Sequence, residues 1–308
     1  MSHMLFALTF ALAALAGCKQ DTSTTGAPAQ EAMGLYAKGF NALIKDPKAM
    51  IKEYFDAVPQ AGPDPKAKIR LFPRQSFAAR AIKEARESFV QAKAAAPASM
   101  AGLASSADQA MAAIDAIEQT FTQAQKYYEA ENYKDDQLAK GNELHGKMLA
   151  ATKDFNAAID KLSTGLSAIE DEQARKELAK HEGAKAYSYW FRFYNMQAKQ
   201  FLAVVETIDS PEALAKLDAA FPPMTAASES LGTFVAQKGA KLNPSFKAYN
   251  NQASTFHATA TKLVRLAKDP NRDANAVGRE MDALVSGYNN LVSTGNSLYD
   301  LEAANALN

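Results

Sequence analysis

From Glu31 onward, apolar residues recur at spacings of three and four with little interruption, while strand-like alternation and Asn-Gly hairpin turns are absent. That period predicts helices. Met100, Leu103, Ala107, Ala110, Ile114, Ile117, Phe121, Ala124 and Tyr128 form one series, and Met148, Thr152, Phe155, Ile159, Leu162, Leu166 and Ile169 a second. The C-terminal part repeats the pattern in Phe246, Tyr249, Ala253, Phe256, Ala260 and Leu263, and again from Ala274 through Val277, Met281, Leu284, Tyr288, Leu291 and Gly295 to Leu298. Four long amphipathic segments of this kind predict an all-α fold, an elongated bundle of long antiparallel helices forming a single domain over 31–308.

Helix starts are predicted where a capping residue precedes Pro: Asp46-Pro47, Ser210-Pro211, Asn243-Pro244 and Asp269-Pro270. Pro59 to Pro73 is the longest non-helical connection, and Phe221-Pro222-Pro223 predicts a turn. Asp135 to Thr207 contains no Pro and as one helix would run about 110 Å. A break is expected at His181-Glu182-Gly183, since Gly in a helix interior costs about 1 kcal/mol relative to Ala. Aromatic-Asn pairs recur at Phe40-Asn41, Tyr194-Asn195, Tyr249-Asn250 and Tyr288-Asn289; the simplest reading puts the ring inward and Asn against a backbone or water. Gly287 and Gly295 are expected to let the last helix approach a neighbour closely.

Composition narrows the function. The 34 basic and 34 acidic residues balance, which argues against nucleic acid as a partner. One Cys excludes an internal disulfide and Cys-rich metal sites, and four His leave little for a His-rich centre. No cofactor or metal is therefore expected.

The one Cys has a marked position. Leu5 to Gly17 is an apolar stretch too short for a membrane span of about 20 residues but suited to a signal h-region, although Met1 to Met4 supply no Lys or Arg. Leu15-Ala16-Gly17-Cys18 resembles the lipobox of bacterial lipoproteins. The resemblance implies cleavage between Gly17 and Cys18, with fatty acylation (palmitate among the acyl groups) at Cys18. Residues 1–17 are then a signal peptide, and 18–30 a lipidated Cys with a flexible tether of roughly 20 Å reach. Lys19 follows in place of the Asp that resembles an inner-membrane retention signal. By that analogy the protein is expected on the outer membrane, facing the periplasm, with the inner membrane as the alternative.

Tyr127 to Met148 reads YYEAENYKDDQLAKGNELHGKM. This YYEA, YKDD and LAKG pattern, the lipobox and the end motif Gly287-Tyr288-Asn289-Asn290-Leu291-Val292 resemble the YiiG-like family of bacterial lipoproteins, whose function is not established. Phe40-Asn41-Ala42-Leu43-Ile44 is a looser echo. The resemblance implies an α-helical, lipid-anchored, periplasm-facing protein and supplies no catalytic residues.

Within the central motif, Glu129, Glu131, Asp135 and Asp136 are candidate cation ligands, but they lack the regular Asp spacing of an EF-hand. Asp135 and Asp136 more economically start the next helix. His145 lies on an apolar seam and reads as a hydrogen-bonded core residue. Glu177 and His181 are suitably spaced to pair on one face, yet Glu-x-x-His and the common hydrolase and nucleotide-binding motifs are absent.

Tyr187 to Tyr194, YSYWFRFY, carries six aromatics in eight residues and the only Trp. Some rings must lie off the core seam. The helix is either surrounded or presents a groove for a ligand or partner, with Tyr187, Trp190, Phe191, Arg192 and Tyr194 as its candidate residues. The leading expectation is a non-enzymatic envelope lipoprotein, anchored in the bacterial membrane through its lipid and contacting another envelope protein. A ligand-binding lipoprotein taking a small apolar molecule near Trp190 is the alternative, and a cell-wall-acting enzyme the third reading.

Overall fold

The structure, a computed structural model, describes residues 27–59, 62–63, 69–71, 75–183, 185–205 and 210–307. Cys18, the signal segment and most of the tether lie outside the described residues. The elements are α1 (Ala27–Ile44), α2 (Asp46–Ala57), α3 (Gln75–Ala95), α4 (Ala101–Glu129), the one-turn α5 (Tyr133–Asp136), α6 (Ala139–His181), α7 (Tyr187–Val205), α8 (Pro211–Lys238), α9 (Pro244–Lys268) and α10 (Ala274–Ala303). Two single 3-10 turns, Ala98–Met100 and Gly239–Lys241, complete the set, and no strand occurs among the described residues. The protein is an all-α helical bundle. No helix among the described residues is long and apolar enough to cross a membrane.

The helix ends test the capping argument residue by residue. Ser210 accepts from the Ala213 N–H, and Asn243 accepts from the N–H groups of Ser245 and Phe246, each with Pro in the first turn as expected. Asp46 is the first residue of α2 rather than its cap; Lys45 precedes it without a side-chain bond. Asp269 closes α9 instead of opening α10, because its carboxylate turns onto the Asn271 N–H at 2.8 Å. Asp273, accepting from Asn275, is the cap that α10 uses.

Phe221-Pro222-Pro223 is not a turn. Both prolines lie inside α8, where the missing N–H groups cost rungs of the helical ladder. Packing overrides that cost: Leu217, Met224, Ala227 and Leu231 on either side are all buried, and the Phe221 ring meets Phe201 and lies flat against His257. The break expected after His181 is present, since α6 ends there and Glu182-Gly183 turns.

The residues grouped above as one domain gather into two compact units, one ending at Ile169 and the other beginning at Glu170. In the first, α1 packs along α3, with α2 and α4 against them. Every member of the Met100 to Tyr128 series is buried. Gly39 in α1 lies so close to the Phe89 ring of α3 that a Cβ there would collide with it. In the second unit α7, α8, α9 and α10 form the bundle, and every member of the Phe246 to Leu263 series is buried. Gly295 makes the close approach expected of it, since a Cβ there would fall 2.9 Å from Asn195 Nδ2; at Gly287 the Phe256 ring stands off at 3.4 Å.

Candidate functional site

The aromatic helix α7 is largely enclosed by its own unit. Tyr187, Phe191 and Tyr194 are buried, Trp190 and Phe193 are partly buried against the same core, and the Tyr187 ring meets Phe234 and Phe246 edge-on. Their polar atoms are engaged internally. The Trp190 indole N–H donates to the Lys185 carbonyl at 3.0 Å, and the Tyr194 hydroxyl to the Ala253 carbonyl at 2.7 Å. Tyr249 donates to Asn195 Oδ1 at 2.7 Å, so the Asn of one aromatic-Asn pair serves the aromatic of another. Burial pushes the Tyr194 and Tyr249 hydroxyls well above the usual phenol range.

Arg192 is held in the same way. Its guanidinium lies 4.8 Å from the Phe191 ring centre and 4.5 Å from that of Tyr299, and pairs with Glu302 of α10 at 2.7 Å. Ser188 also donates to Glu302. Burial works against the Glu302 carboxylate, but the bonds from Arg192 and Ser188 more than offset it and hold its pKa below the usual value. The structure thus brings Tyr187, Trp190, Phe191, Arg192 and Tyr194 together as one packed cluster tied to the C-terminal helix.

The central motif forms the corner between α4 and α6. Asp136 accepts from the Tyr127 hydroxyl at 2.7 Å and from the N–H groups of Leu138 and Lys140, both at 3.0 Å. It is a helix-start residue, as expected, and these bonds lower its pKa, the Tyr127 hydroxyl first. Glu131, Gln137 and Leu138 take positive φ of 55°, 52° and 68°, and Gly141 leaves room for Tyr127, Tyr128 and Leu138. Burial, with Asp136 nearby, pushes the Tyr128 hydroxyl up to about 12. Among the described residues no group of three or more His, Cys, Asp or Glu is placed to hold a metal ion. His145 is a core residue, buried beside Tyr54, whose hydroxyl lies 3.4 Å from Nδ1. His181 and Glu177 end α6, and burial, then the nearby Arg192, pushes the His181 pKa down.

A different feature of the first unit was not singled out by the apolar pattern. α4 and α6 are antiparallel and close together at both ends, where Gly141 meets Tyr127 and Tyr128, and Gly165 meets Leu103 with a built Cβ only 2.7 Å from Cδ2. Between these closures an open trough of about 770 Å³ runs along the helices, and a further groove of about 540 Å³ shares Lys161 with it. Ala112, Ala113 and Ala116 face Ala150, Ala151 and Ala157 across the trough, with Gln109, Gln119 and Gln123 along the α4 lip. The α4 side of both grooves carries no charge. Asp108 and Asp115 of α4 instead pair with Lys93 and Arg86 of α3, at 2.5 and 2.6 Å. The signal was present in the sequence: Gly102, Ser105, Gln109, Ala112, Ala116, Gln119 and Gln123 are exposed and follow the same 3-4 spacing as the buried series. A stripe of small and amide residues scores as neither core nor charged surface.

Residues 28–297 match the model of a family described as a protein of unknown function, DUF3829, and the chain belongs to that family. Over 201 residues it is 27% identical to the uncharacterized protein YiiG of Escherichia coli (strain K12), covering 59% of this chain and 54% of the relative. The expected YiiG-like family is thus borne out, and the chain spans about half the length of the curated relative it matches. No solved structure matches.

Proposed function

We propose that the protein is a lipid-anchored envelope lipoprotein, held at the outer membrane through Cys18 and facing the periplasm, that acts by contact through its helical surface rather than by catalysis. The anchoring part rests on the sequence alone, where the only Cys stands at the lipobox position. One structural observation carries the contact part: the open trough between α4 and α6, with an uncharged α4 wall and small residues facing one another across it. Interface centres are depleted of charge, as this α4 wall is, and the charges that line the trough, Lys147, Asp154 and Lys161, stand on the α6 wall alone. The aromatic cluster around Trp190 supports a ligand-binding role less well, because its indole N–H and the Arg192 guanidinium already have partners inside the unit.

Each part has its own test. In cells fed labelled palmitate, Cys18→Ala should lose the label; unchanged incorporation would remove the anchor. Ala116→Glu places a charge in the uncharged wall and should dissolve the complex in which the native protein migrates, whereas Lys83→Glu on exposed α3 should not. A complex indifferent to Ala116→Glu would remove the contact reading.

A further inference from the structure

The contact reading leaves open what occupies the trough. On the α6 side the exposed residues Lys147, Ala150, Asp154, Ala157, Lys161 and Thr164 alternate in steps of three and four, a seam of coiled-coil spacing turned outward. Lys147 is paired with Glu143 at 2.7 Å. Asp154 and Lys161 make no ion pair among the described residues. They are two opposite charges one heptad apart, flanking a small-residue centre.

Two copies of such a seam fit together in one antiparallel register. A two-fold axis level with the step between Ala157 and Ala158 brings the exposed Ala157 of the two copies side by side, Ala158 being buried in its own unit. The same axis places Asp154 opposite Lys161 of the second copy and Lys161 opposite its Asp154. It also brings the exposed Ala150 of each copy beside the exposed Thr164 of the other. Each of these relations is small against small or acid against base and occurs twice, as an isologous interface requires; Lys147, level with Ala168 of the second copy, keeps its own partner Glu143. Other registers lose this match: centring the axis on Asp154 would oppose the two Asp154 carboxylates and set Lys147 against Lys161, like charges that disfavour the pairing.

Resting on the contact reading, we propose that the trough is an interface with a second copy of this chain, α6 of each lying antiparallel in the α4–α6 trough of the other. Small residues on both sides let the helix axes come close, and the paired Asp154–Lys161 contacts at the ends of the seam fix direction and register. The result is a two-fold dimer with α4 and α6 of both copies at its centre.

The test is sedimentation velocity on the full mature chain extracted in detergent, at protein concentrations from about 1 to about 100 µM. The native chain should sediment as a dimer at the upper end. Asp154→Lys and Lys161→Asp should each weaken dimerisation by about tenfold or more, and the double variant, with the charges exchanged, should restore it. Circular dichroism of each variant confirms that the exposed substitutions leave the fold intact. A native chain monomeric throughout, or a dimer indifferent to the single reversals, would overturn the inference. If the purified chain is monomeric while Ala116→Glu still dissolves the cellular complex, the second copy is excluded and the contact reading stands; if Ala116→Glu has no effect either, both fall.

Discussion

Arg192 on α7 and Glu302 on α10 form a 2.7 Å ion pair, with the guanidinium between the Phe191 and Tyr299 rings. Arg192 is only 9% exposed at its side chain, and Glu302 26%. Removing one partner leaves the other short of its charge complement inside the unit. Arg192→Ala should cost about 2–4 kcal/mol, somewhat below the figure for a fully buried pair because Glu302 stays in part solvated. Chemical denaturation checks it, and a loss under about 1 kcal/mol would show that the pair is solvated in practice. The pH sign follows from the lowered Glu302 pKa: its contribution is present above the ordinary value of 4.5 and is lost as pH falls through the depressed one.

His257 supplies a second pH effect. Its Nε2 lies 3.2 Å from the Thr225 hydroxyl oxygen and its ring stacks on Phe221, 5.9 Å between centres. Burial lowers its pKa below 6.5, with Glu229 opposing. The unfolded chain therefore takes up the proton first as pH falls. This stability is full above about pH 6.5 and is lost as pH falls through the lowered value. His257→Gln should show a smaller fall in melting temperature between pH 7.5 and 5 than the native chain, and an equal fall would contradict the assignment.

Glycine positions separate packing from propensity. Gly39→Ala pushes a methyl into the Phe89 ring and should destabilise by about 1–3 kcal/mol. Gly232, inside α8 with nothing within 4 Å of a built Cβ, should gain about 0.5–1 kcal/mol on replacement by Ala. Melting curves of the two variants should shift in opposite directions.

The corner of the central motif makes the converse prediction. Gln137 is exposed and held at φ 52°, a left-handed conformation that Gly adopts without strain. Gln137→Gly should be neutral or stabilising by up to about 1 kcal/mol, while Asp136→Ala, which frees the Leu138 and Lys140 N–H groups, should destabilise by about 1–2 kcal/mol. Equal losses at both positions would mean that the corner is not fixed by its backbone.

These positions also show where sequence and structure diverge. The buried seams of α4 and α9 were legible because large side chains at 3-4 spacing have one way to leave water together. Ser210 and Asn243 were legible as caps because Pro fixes the start of the helix behind them. Asp269 was misread because an Asp-Pro step serves a turn as well as a helix start, and the choice lies in which N–H the carboxylate reaches. Pro222-Pro223 was misread because a local rule yielded to burial on both sides. The aromatics of α7 were identified, but their enclosure depends on Glu302, Tyr299 and Phe234, distant in the chain. The trough was missed for a different reason: it is built from what the apolar pattern leaves out, the exposed Ala, Gly and Gln of helices already explained by their cores.

On the proposed contact reading, the α4–α6 face of the first unit is the surface through which the protein meets its partner. A photoreactive benzoylphenylalanine at Ala116, in the trough, and at Lys83, exposed on α3, tests it in intact cells expressing the full chain. Irradiation should give a discrete adduct from Ala116 and none from Lys83. No adduct from Ala116, or the same products from both positions, would contradict the account.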